Sequence, residues 1–69
     1  MKTADALAQL PQKNREYLEG LRENVRRAEA VQNYHCIESF RAVARGYIRC
    51  LVDCGVISEF KPIWCWFTL

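Results

Sequence analysis

The sequence predicts an all-α fold: a small helical hairpin or bundle with a short N-terminal helix and a C-terminal aromatic segment, short helix or edge strand, packed across it. Three observations carry that expectation. Apolar residues recur at three- and four-residue spacing through two long stretches. Residues that end or cap helices, Pro11, Asn33 and Gly55, fall between the candidate helices. The chain of 69 residues has room for one domain, and 51% of its residues are hydrophobic, which suits a compact helical unit with some apolar surface left over.

The elements follow in order. Thr3 is placed to cap a first helix over residues 3–10, with Asp5 near its positive end, and Pro11 stops it. A second helix is expected over residues 13–33. Its spacing Leu10, Asn14, Tyr17, Leu21, Asn24, Ala28, Val31, His35 alternates four and three, the seam of two helices lying side by side. Glu23 with Arg27 at i,i+4, and Glu19–Arg22 and Arg26–Glu29 at i,i+3, make favourable outer pairs of a few tenths of a kcal/mol each, roughly. A third helix is expected over residues 36–54. At about 100° per residue, Cys36, Ile37, Phe40, Val43, Ala44, Tyr47, Ile48, Cys50, Leu51, Val52 and Cys54 read as one broad apolar side. Glu38, Arg41, Arg45, Arg49 and Asp53 make the solvated one. The apolar stripes of these two helices are out of phase, so a break near Asn33 turns them into a hairpin. Gly55 supplies a left-handed residue after the third helix, with Val56 folding back in a Schellman-type cap.

Residues 58–69 admit two readings. Ser58 and Glu59 read as an N-cap for a short helix that places Phe60, Ile63, Trp64 and Phe67 on one face. The alternating set Ile63, Cys65, Phe67, Leu69 reads as an edge strand.

Composition limits the function classes. Lys plus Arg exceeds Asp plus Glu by only 10 to 8, too small a margin for bulk charge to indicate nucleic acid or membrane. No stretch approaches the roughly 18 apolar residues of a membrane span. The first residues lack the apolar run of a secretory signal, so a cytoplasmic, reducing setting is expected. Cys36, Cys50, Cys54 and Cys65 then count first as free core thiols, three of them on the apolar side of the third helix. Zinc held by cysteines and His35 is the alternative, although the Cys50–Cys54 spacing sits inside a helix instead of on a knuckle loop. No cofactor is expected. Neighbouring helical residues point about 100° apart, so His35 does not serve Cys36 as a base, and no paired carboxylates stand free for acid–base work. The chain is read as non-catalytic.

Two surfaces remain as candidate binding sites. Arg41, Arg45 and Arg49 repeat at one-turn spacing along the exposed side of the third helix, where they could meet phosphates or an acidic partner. Phe60, Trp64, Trp66 and Phe67 offer more apolar area than a two-helix hairpin covers. The two indoles diverge by about 200° on a helix, so at least one is expected to project outward and build an association surface, with a second copy or with another protein.

The stretch "VARGYIRCLVDCGVIS" followed by "IWCWFTL" resembles the recognition helix and wing strand of winged helix-turn-helix regulators. The resemblance covers little more than the last third of the chain. It implies a helix in the DNA major groove with base or phosphate contacts from Arg41, Arg45 and Arg49. The size and texture of the chain also resemble small accessory proteins of phages and mobile elements. The preferred expectation is a protein-binding module, a stoichiometric inhibitor or adaptor that antagonises a host defence complex or a repressor, and a homodimer. A winged-helix DNA-binding regulator is the alternative, and a zinc-stabilised helical domain a further one.

Overall fold

Each expected breaker divides two helices. The computed structural model describes residues 3–69, Thr3 by its backbone alone, and these form α1 (Thr3–Gln9), α2 (Gln12–Ala30), α3 (Tyr34–Asp53) and α4 (Phe60–Thr68). The capping role expected of the Thr3 side chain lies outside the described residues.

Pro11 separates α1 from α2 for two reasons. Its ring fixes φ at −58° with ψ at 150°, and it offers no N–H to an upstream carbonyl. Its own carbonyl accepts from the Arg15 amide at 3.0 Å and so starts α2. The α2–α3 turn is a Schellman motif. Asn33 N–H donates to the Ala28 carbonyl (2.9 Å) and Gln32 N–H to the Glu29 carbonyl (3.1 Å). The left-handed position falls on Gln32, φ 55°. Asn33 then begins the next helix, its side-chain oxygen accepting from the Cys36 amide at 3.2 Å, which satisfies one of the donors that every helix start leaves open. The same motif closes α3: Gly55 takes φ 76°, its N–H donates to Val52, and Val56 N–H donates to Leu51 at 2.9 Å.

Helices α2 and α3 form the hairpin. Asn14 Nδ2 donates to the Tyr47 hydroxyl at 2.6 Å, and Arg41 faces Glu29 at 3.9 Å. Low numbers on one helix therefore meet high numbers on the other, and the pair runs antiparallel. Their contact buries Leu18, Leu21, Val25 and Ala28 against Ile37, Ala44, Ile48 and Leu51. Leu10, Leu21 and Ala28 of the expected α2 seam are buried, and the rest of that seam is corrected. Asn14 and Asn24 are half-buried, and Tyr17, Val31 and His35 are exposed, while Leu18 and Val25 carry the core. Measured from Leu21, those two lie about 40–60° round toward Arg22, the flank that α4 covers.

Residues 60–68 are helical, so the edge-strand reading and the wing strand implied by the regulator resemblance do not describe this segment. Ser58 does not cap it. Its N–H and hydroxyl donate to the Gln9 side-chain oxygen at 3.3 and 3.2 Å, tying α1 to the loop before α4. Ile63 and Phe67 are buried and join Ala6, Leu10 and Ile57 in the core, so α4 closes the open side of the hairpin.

Candidate functional site

The closing helix carries its apolar residues all round, and each side meets a different environment. Ile63 and Phe67 point into the core, whereas Phe60, Trp64 and Trp66 are half-buried at its margin. Along one side the rings form a stacked row, with Phe60–Trp64 centroids 5.9 Å apart and Trp64–Phe67 5.8 Å apart, both near parallel. Trp66 meets Phe67 edge-on at 6.4 Å. Offset and edge geometries of this kind are the favourable ones for π quadrupoles.

Arginines from both hairpin helices lie over these rings. The Arg45 guanidinium carbon is 5.3 Å from the Trp64 centroid, that of Arg49 is 5.3 Å from Phe60, and that of Arg22 is 5.0 Å from Trp66. All three fall within the reach of cation–π attraction. The expectation that an indole projects outward is therefore corrected. Trp64 and Trp66 do diverge, but each turns toward an arginine of a different hairpin helix, and neither is an exposed ring.

The Arg ridge divides in two. Arg41 pairs with Glu29 and is half-buried, its Nε enclosed without a hydrogen-bond partner. Arg45 and Arg49 are exposed side chains turned onto α4. Arg15 pairs with Glu19 and Arg27 with Glu23, each at 3.6 Å. The expected Glu19–Arg22 and Arg26–Glu29 pairs are not formed, and Arg22 goes to Trp66 instead. Among the described residues Arg22, Arg26, Arg45 and Arg49 thus form no ion pair, and all but Arg26 lie over an α4 ring. Arg26 joins Arg15, Glu19, Arg22, Glu23 and Trp66 around a groove of about 230 Å³ between α2 and α4. Arg22 and its groove were missed in the sequence because the contact depends on where α4 crosses α2.

The cysteines also need correction. Cys36 is half-buried, but Cys50, Cys54 and Cys65 are exposed, and all four are free. Stepping from the buried Ile48, Cys50 lies about 200° round the helix and Cys54 about 240°, so the side that holds them is not the core side. Val43 is exposed for the same reason. Among the described residues no group of three or more His, Cys, Asp or Glu is placed to hold a metal ion, which leaves the zinc-stabilised reading without a ligand set.

No family model, curated protein or solved structure matches the chain. Among the described residues no helix is long and apolar enough to cross a membrane.

Proposed function

We propose that the chain is a non-catalytic protein-binding module that takes an acidic segment of a partner protein across α4, acting in the cytoplasm as a stoichiometric inhibitor or adaptor. One observation carries this reading: four arginines without an ion pair among the described residues border a single aromatic helix. At the exposed Arg45 and Arg49, a guanidinium resting on a ring is held in place while its N–H edge stays available to a carboxylate, so little side-chain entropy is lost on binding; Arg22 Nε is enclosed.

The distribution of charge favours a peptide over a nucleic acid. Glu19 and Glu23 sit in the groove beside Arg22 and Arg26, and this mixed pattern repels a continuous phosphate backbone while matching spaced carboxylates. It also disfavours two copies meeting face to face here, since arginine would confront arginine. The occupant is a different chain, and an antagonist of a host defence complex or of a repressor is the role that the size of the protein suggests.

Trp64 and Trp66 are the two tryptophans of the chain, and both stand in α4, so tryptophan emission excited beyond the tyrosine band reports on this site alone. A glutamate-rich peptide of about twenty residues is expected to change that emission saturably. Arg45→Ala with Arg49→Ala is expected to weaken binding about tenfold, or 1.4 kcal/mol. A DNA duplex of similar charge that binds more tightly, with a steep salt dependence, would favour the regulator instead. Silence toward both would remove the proposal.

A further inference from the structure

We propose that Cys50 and Cys54 form a two-thiolate site for a soft univalent cation of the Cu(I) class. The pair stands one turn apart at the end of α3, both residues exposed and unbridged, with their sulfurs 4.0 Å apart. That separation suits two ligands on one small soft ion. Taking the zinc–thiolate bond of about 2.3 Å as a guide, the sulfurs lie about 4.0 Å apart at a bond angle of 120° and about 4.6 Å apart when collinear, so a small rotamer adjustment spans the range.

The chemistry of the position narrows the occupant. Thiolates select soft ions, and an ion content with two ligands needs nothing further from the chain. A tetrahedral ion such as zinc needs four, and the described residues assemble no group of even three. The pair also lies where a helix accumulates negative partial charge, which favours a bound cation. The Cys50 thiol is held above its ordinary value first by its contact with Cys54 and by that group's charge, then by slight burial and by Asp53. Loading exchanges two S–H protons for one M⁺ and leaves a complex of charge −1, with no electron transferred. A disulfide would require the sulfurs to close to about 2.05 Å, drawing in one turn of helix.

The test is an anaerobic titration of the whole chain with Cu(I) against a chromophoric Cu(I) chelator. One ion per chain is expected, bound at least about a hundredfold more weakly by Cys50→Ser or Cys54→Ser and unchanged in the Cys36→Ser, Cys65→Ser double variant. Circular dichroism establishes that each variant is folded, and both serines are on the surface. Parent-like affinity in either single variant, dependence on Cys36 or Cys65, or half an ion per chain in a dimer would each overturn the assignment.

Discussion

At the open end of the hairpin, Ile63 and Phe67 are 0% and 2% exposed, and the remaining α4 rings lie half-covered by arginines; at the turn, Val31 and Tyr34 are 73% and 70% exposed. The two regions hold similar kinds of side chain and treat them in opposite ways. What separates them is the number of elements within reach. Helix α4 lies against α1, α2 and α3, so its apolar faces find partners on several sides. The turn lies beyond the last shared layer of α2 and α3, where no described residue covers Val31 or Tyr34. Hydropathy alone therefore does not decide exposure in so small a molecule.

The strongest way to break this comparison is to empty one site at each end. Phe67→Ala removes a buried ring and is expected to destabilise by about 3–5 kcal/mol. A core of this size rarely supplies more than about that amount, so the variant should be largely unfolded by far-UV circular dichroism at room temperature. Tyr34→Ala is expected to stay within about 0.5 kcal/mol of the parent. Urea midpoints that fell equally in both would show that α4 is not the element that completes the core.

The same contrast explains what could be read from the sequence. Pro11 and Gly55 act through their own backbones and Asn33 through a side-chain cap on the helix that directly follows it, so the divisions they impose are legible before any packing is known. Which face of a helix is buried depends on partners distant in the chain. A four-and-three spacing assumes a single neighbour and places Asn14, Tyr17 and Asn24 in the α2 seam beside Leu21 and Ala28; Leu21 and Ala28 are buried, and α4 draws the stripe round to Leu18 and Val25. An apolar arc wide enough to include Cys50 and Cys54 overstates the core face of α3, and both residues are exposed. One-turn spacing marks Arg45 and Arg49 as a ridge, yet their seat on α4 rings follows from the crossing of two helices, which residue spacing does not encode.

A gentler perturbation sharpens the comparison at the arginine margin. Arg45→Gln keeps much of the side-chain length and removes the cation above Trp64. The loss expected for a partly exposed cation–π pair is about 0.5–1 kcal/mol, accompanied by a change in tryptophan emission. Arg27→Gln supplies the control, since Arg27 touches Glu23 and no ring. Equal stabilities and identical emission in the two variants would mean that the arginine cover contributes nothing to the α4 face.

The smallest effect is expected at the turn, with the opposite sign. Gln32 is the non-glycine residue with positive φ among the described residues, at 55°, while the equivalent position after α3 is Gly55. The two turns share one hydrogen-bond motif, so they differ chiefly in what the left-handed residue costs. A residue with a Cβ loses roughly 1 kcal/mol in that conformation, and glycine gives back about half of this through its freer unfolded chain. Gln32→Gly is therefore expected to stabilise by about 0.5 kcal/mol, which at a urea slope of about 1 kcal/mol per molar raises the midpoint by about half a molar. Gln32→Ala keeps the Cβ and should leave the midpoint in place. A lowered midpoint for the glycine variant would mean that the Gln32 side chain contributes a contact at the turn that outweighs its backbone strain.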